Sequence, residues 1–301
     1  MGGLDRVWIS VGNLERSLEF YRDYVGLTLV RQGQLDPREA RGLAGQAGCT
    51  EARVALLTNQ VQSTRIALVE FKPGSSVISR EGAENWDFGL WDIAFMVGDA
   101  EPTHQDLMAR GFHIVLKPLV YAPFGNAVTI LAVKDADGVM LGLIEKTWDG
   151  NRPRQRFYGM ADVGQIADNL DEVKDFYCGI LGLDFISRTD QAAGALDKAY
   201  GLPEGSKTAI LLASDKKSTA VYSEFIQFSV KGKPIAARPP GRGMFMVSYQ
   251  VVSLSGVIKE CARQGYRILM GPQEYPDLER GKQGAAVIEG PGSVMVQAFE
   301  I

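Results

Sequence analysis

The chain repeats itself, and this limits its fold more than any single motif does. Residues 13–27 read NLERSLEFYRDYVGL and residues 169–183 read NLDEVKDFYCGILGL. They share an Asn-Leu start, a Phe-Tyr pair and a terminal Gly-Leu at identical spacings. GFHIVLKP at 111–118 and GYRILMGP at 265–272 match at nearly the same offset. Two matches at nearly one offset imply two copies of a unit of domain size, about 150 residues each. The predicted domains are 1–150 and 151–301, joined by the turn-rich, charged segment WDGNRPRQRF (148–157).

Each copy contains two smaller units with one order of elements. In the first, RVWISV alternates as a strand does, and Asn13 can cap the helix that follows. Leu14, Leu18 and Tyr21 have helical spacing, and Gly26 is a stop. ARVALLTN and STRIALVEF then read as strands. The second unit runs from the strand DIAFMV through a helix at 102–110 to FHIVL, AVTILAV and VMLGLIE, with the turn DADG (135–138) before the last. VGQIA, a helix from Leu170, AILLAS and AVYSEFIQFSV make the third unit. MVSYQVV, a helix through Cys261, RILM, AAVIE and VMVQAFE make the fourth. The expected fold is α+β: four βαβββ units, two per domain.

Composition excludes several classes of partner. The net charge is −4 and the lysines and arginines are scattered, so no nucleic-acid surface is expected. No apolar run approaches the roughly 18 residues of a membrane span. Three cysteines without CxxC spacing, and an opening MGGLDRVWISV without the pattern of a secretory leader, point to a reduced cytoplasmic setting. Cys178 and Cys261 fall in helical patterns and read as small core residues.

Four βαβββ units, with SLEFYRDYVGL and its counterpart DFYCGILGL, the Gly-aromatic strands ending in Pro, and DADG before a terminal strand, resemble the vicinal oxygen chelate (glyoxalase/bleomycin resistance/extradiol dioxygenase) superfamily. The resemblance covers the whole chain and implies two curled sheets, each forming a cup. It also implies metal ligands on the first and last strands of each unit, usually His, Gln or Glu. Carried over position by position, those sites hold Arg6, Ala67, Asp92 and Gly142 in the first half, and Asp162, Glu224, Met246 and Gln297 in the second. The first set does not make a metal site, since a guanidinium has no lone pair to give. The two histidines, His104 and His113, miss every ligand position, and His104, on a helix, is expected to be solvated. The iron site of the dioxygenases, two His and a carboxylate, is therefore not expected, and neither is any other cofactor. The alternative is an all-oxygen site from Asp162, Glu224 and Gln297 for a hard ion.

Strand alternation groups the side chains further. In the second half Asp162, Tyr222, Glu224, Met246, Ser248, Gln297 and Phe299 share one face, an apolar wall with a few polar groups. Asp162 and Glu224 are either an acid–base pair with separated pKa values or two solvated carboxylates. Tyr222 would join them in catalysis. In the first half Arg6 and Asp92 would face each other, as an ion pair filling a vestigial site or as a clamp for an anion. Tyr121, Phe124 and Tyr275 lie in corresponding loops, as lids or as anchors, and Trp86 and Trp91 are assigned to the sheet junction. These readings lead to a metal-independent lyase or isomerase for a small apolar, aromatic or polyketide-like molecule. Gln297, Met246, Ser248, Phe299, Tyr275, Arg6 and Asp92 would contact that substrate. Two alternatives stay open: a sequestration protein of the drug-resistance kind, and a ring-cleavage dioxygenase with an atypical site. Relatives often associate, so a homo-oligomer is compatible with the chain.

Overall fold

The computed structural model describes residues 3–45, 49–59, 61–122, 127–146, 156–191, 197, 200–217 and 220–300. Unit 1 contains β1 (Leu4–Ser10), α1 (Leu14–Leu18), β2 (Thr28–Gln34), α2 (Pro37–Ala44), β3 (Glu51–Thr58) and β4 (Arg65–Lys72). Unit 2 contains β5 (Gly89–Val97), α3 (Ala100–Ala109), β6 (His113–Tyr121), β7 (Val128–Lys134) and β8 (Met140–Lys146). Unit 3 contains β9 (Phe157–Ile166), α4 (Leu170–Lys174), β10 (Asp184–Gln191), β11 (Thr208–Ser214) and β12 (Tyr222–Phe228). Unit 4 contains β13 (Gly243–Val251), α5 (Leu254–Gln264), β14 (Arg267–Asp277), β15 (Gly281–Gly290) and β16 (Val294–Glu300).

The repeated sequence does the same structural work twice. Asn13 Oδ1 accepts from the Arg16 N–H at 3.0 Å, and Asn169 Oδ1 from the Asp171 N–H at 2.9 Å, capping α1 and α4. Both helices run on into a wider π-helical stretch, Glu19–Tyr24 and Asp175–Ile180. The tyrosines of the Phe-Tyr pairs are fully buried. The Tyr21 hydroxyl donates to Asp135 at 2.8 Å and that of Tyr177 to Gln165 at 2.7 Å, so neither polar tip is buried unpaired. Gly26 and Gly182 end the repeats at φ 87° and 83°, where a side chain would be strained.

The strands form two eight-stranded sheets, ordered β14-β15-β16-β13-β1-β4-β3-β2 and β10-β11-β12-β9-β5-β8-β7-β6. Within each unit the last strand lies parallel to the first. First strands meet antiparallel across units: β1 on β13, with Trp8 opposite Met246, and β5 on β9, with Ala94 opposite Asp162. Unit 1 therefore shares a sheet with unit 4, and unit 2 with unit 3. This corrects the expectation that each half of the chain, 1–150 or 151–301, curls a sheet of its own. Three of the four first strands, β1, β5 and β13, are buried almost throughout, so their sequences do not single out a partner. Periodicity decides which side chains share a face, but not which strand lies alongside.

The outer faces of both sheets and the helices share one core, including Val7, Phe95, Val163, Tyr177 and Val247. The inner face of the first sheet is filled. Leu35, Ala40 and Leu43, on or just before α2, pack against Trp8, Met246 and Met295. No periodicity in the sequence had marked α2. Its signals are the Asp36 cap, which accepts from the Arg38 N–H, Pro37 in the first turn, and Gly45 at φ 58° as its stop. Among the described residues, no helix is long and apolar enough to cross a membrane.

Candidate active site in the second sheet

The second sheet keeps its inner face open, and three of its strands each direct a carboxylate into it. Asp92 comes from β5, Asp162 from β9 and Glu224 from β12. Oxygen atoms of the three lie within 4.8 Å of one another. The register explains the convergence. Gly164 on β9 stands between Asp92 on one neighbouring strand and Glu224 on the other. Having no side chain, it leaves room for Asp92. A β-carbon on Gly164 would lie 2.0 Å from Asp92 Oδ1, and one on Gly142 would lie 2.9 Å from Asp92 Oδ2. Asp92 thus occupies the space over two glycines, one of which stands where the family would place a Glu.

The cluster is electrostatically costly. Asp92 is only 7% exposed, and neither its Oδ1 nor that of Asp162 has a hydrogen-bond partner. Burial pushes the Asp162 carboxyl up to about 7, against the pull of the Lys146 ammonium. Burial drives Glu224 well above the usual carboxylate range, and the charges of Asp162 and Asp92 drive it further. Asp92 is raised by burial and then by Asp162, with the Gly164 N–H and Arg80 opposing.

Above the carboxylates lies a cavity of about 480 Å³. Its walls are mainly apolar and aromatic, with Trp91, Met96, Ile144, Tyr200, Ile210 and Phe228 among them. Trp91 meets Tyr200 edge-on, with ring centroids 5.0 Å apart. The Asn85 side chain anchors the Tyr200 carbonyl at 2.8 Å. Tyr121 lines the cavity, whereas Phe124 lies outside the described residues. Tyr222 also lines it and is 46% exposed. Sequence reasoning missed Lys146 and Tyr200 and assigned Trp91 to the sheet junction. Lys146 had a usable signal: it follows Gly142 and Ile144 on the inward alternation of β8. Tyr200 had none, because it lies outside the regular elements.

The remaining predicted site residues gather in the first sheet instead. Arg6 pairs with Asp277 at 3.0 Å and with Asp5 at 3.6 Å, not with Asp92. The Trp8 indole donates to Ser248 at 2.7 Å, and Ser248 donates to Gln297 at 2.6 Å. Met246 is fully buried beside them. Tyr275, Phe299, Arg6 and Gln297 border a residual space of about 30 Å³, the size of one water. Met246, Ser248, Gln297, Phe299, Tyr275 and Arg6 are thus separated from Asp162, Glu224 and Tyr222, and Asp92 changes sides. All of these corrections follow from the pairing of units across the two halves. His104, expected to be solvated, is buried on α3, and His113 is exposed on β6; neither joins the carboxylates.

The divalent ion that the resemblance implies has a fitting donor set here. Three converging carboxylates, two of them with an unpartnered oxygen, suit a hard, oxygen-seeking cation. Asp92 supplies the third donor that the sequence reading had assigned to Gln297. Among the described residues, no histidine or cysteine belongs to the cluster.

The profile of the Glyoxalase/Bleomycin resistance protein/Dioxygenase superfamily matches residues 3–143 and 159–297. No curated protein sequence matches the chain. Glyoxalase I from Zea mays superposes over 99% of this chain and 92% of its own, with a TM-score of 0.63 at 17% identity. A protein described as a putative dioxygenase from Bacillus subtilis superposes over 99% and 84%, with a TM-score of 0.60 at 14% identity. At such identities the likeness is one of fold, while the paired profile matches span nearly all of the sequence. The chain belongs to the Glyoxalase/Bleomycin resistance protein/Dioxygenase superfamily.

Proposed function

We propose that the chain is a lyase or isomerase that moves protons on a small, largely apolar, aromatic or polyketide-like molecule, using Asp92, Asp162 and Glu224. The convergence of these three carboxylates under an apolar cavity of about 480 Å³ carries the reading. Asp162, with a pKa of about 7, exchanges its proton near neutrality and suits a general acid–base role. Burial raises Asp92 and Glu224 well above the usual carboxylate range, which favours their protonated forms as hydrogen-bond donors to substrate oxygens. Tyr222 orients the substrate where it enters. The apolar walls exclude water, which strengthens each of these interactions.

The same convergence favours a second reading, in which Asp92, Asp162 and Glu224 hold a hard divalent ion. Such an ion would supply Lewis-acid polarisation of substrate oxygens. Simple sequestration of the ligand would need the cavity but not the acids.

Turnover of a panel of aromatic and polyketide-like carbonyl compounds, read by mass spectrometry of products, tests the proposal. The Asp162→Asn/Glu224→Gln variant should fold and lose turnover, and unchanged turnover rules the mechanism out. Turnover that survives exhaustive chelation supports side-chain chemistry. Turnover lost on chelation and restored by Mg²⁺ or Mn²⁺ supports the ion.

A further inference from the structure

We propose that Lys146 receives an ionisable oxygen of the ligand, so that the site selects aromatic molecules carrying a carboxylate, phenolate or enolate. This rests on the reading of the second sheet as the active site, and names the ligand class for it. Lys146 ends β8, and Gly142, Ile144 and Lys146 all face the cavity. Among the described residues lining that cavity, it is the only lysine or arginine. It is half-buried. Among the described residues, no hydrogen bond or ion pair engages its ammonium, although it lies close enough to Asp162 to draw that carboxyl's pKa down.

The buried or half-buried arginines Arg6, Arg80 and Arg280 are, by contrast, engaged. Arg6 and Arg280 bind carboxylates in the first sheet. Arg80 donates to the Leu90, Glu84 and Asp87 carbonyls. The Lys146 ammonium has Asp162 within coulombic reach but no hydrogen-bond partner among the described residues, and a low-dielectric cavity makes an anionic ligand atom beside it favourable. The facing groups are Asp92, Asp162 and Glu224 on β5, β9 and β12, and Tyr121, Tyr200 and Tyr222 at the walls. An acidic oxygen at Lys146 places the attached ring against Ile144 and the aromatic wall, with the remaining polar atoms of the ligand toward the carboxylates.

Equilibrium binding of 2-naphthoate, 2-naphthalenemethanol and 2-naphthylmethylammonium, measured by calorimetry on the full chain, tests this. The naphthoate should bind at least tenfold more tightly than the neutral alcohol, and the ammonium most weakly. Lys146→Met should abolish the anion's advantage while leaving alcohol binding unchanged, and Lys146→Arg should keep most of it. Thermal melts establish that both variants are folded. A naphthoate no tighter than the alcohol, an ammonium that binds best, or an anion preference that survives Lys146→Met would each overturn the proposal. Binding is read without turnover. Loss of the anion preference therefore leaves the carboxylate chemistry standing, and turnover surviving in the Asp162→Asn/Glu224→Gln variant leaves the role of Lys146 standing.

Discussion

Asp92 and Gly164 sit opposite each other on neighbouring strands, and the carboxylate of one occupies the space that a side chain on the other would need. Substituting Gly164 by Ala puts a methyl 2.0 Å from Asp92 Oδ1. Since β9 is held on both sides by neighbouring strands, Asp92 must rotate away. Gly164→Ala should destabilise the fold by about 1–3 kcal/mol, the usual cost of overpacking, and should lower turnover by displacing one acid. Urea denaturation alongside steady-state kinetics checks both. Wild-type stability in that variant would mean that the carboxylate is not confined.

The buried acids make stability depend on pH. Asp162 gives up its proton at about 7 when folded, against about 4 in an unfolded chain. Between these values the folded state binds the extra proton, so stability falls as pH rises, by up to about 1.4 kcal/mol per pH unit for one proton. Below pH 4 both states are protonated and the penalty vanishes. Asn cannot ionise. Asp162→Asn should therefore gain stability relative to the wild type as pH rises from about 4 to 7, with a constant difference above. Denaturation midpoints across that range should show the slope, and a pH-independent difference would contradict the raised pKa.

The first sheet gives a contrasting test. Ser248 links the Trp8 indole to Gln297, and all three residues are buried. Ser248→Ala leaves a buried donor and a buried acceptor without partners, a cost of about 1–3 kcal/mol. Turnover should not change, because the chain Trp8–Ser248–Gln297 lies in the other sheet from the carboxylates. A lost denaturation midpoint with intact kinetics is the expected result. A kinetic defect at full stability would return the active site to this sheet.

Much of the fold was legible because it rests on local chemistry. Asn13 and Asn169 announce helices by a side-chain oxygen placed to cap them, and the buried Tyr21 and Tyr177 occur at the same step of the repeat. The edge strand β2 was not legible. Its sequence TLVRQGQ is largely exposed, so it lacks the alternation that burial of one face imposes. In the site, Asp162 and Glu224 were found together because β9 and β12 belong to one unit and pair directly. Asp92 was found as a ligand position but given the wrong neighbours. Lys146 is legible only through the inward alternation of β8, two residues beyond Ile144, and Tyr200 not at all, because no period governs a turn.

The amino-acid order by itself settled the four units, the helix that follows each first strand, and the shared face of Asp162 and Glu224, since these depend on contacts between residues near one another in the chain. Only the tertiary structure decided that unit 2 closes on unit 3 and unit 1 on unit 4. Strands buried almost throughout do not single out a partner, and the choice is made by the packing of whole sheets against a shared core. That choice brings Asp92 to Asp162 and Glu224 in an open cavity, and leaves Arg6, Met246 and Gln297 in one filled by its own side chains.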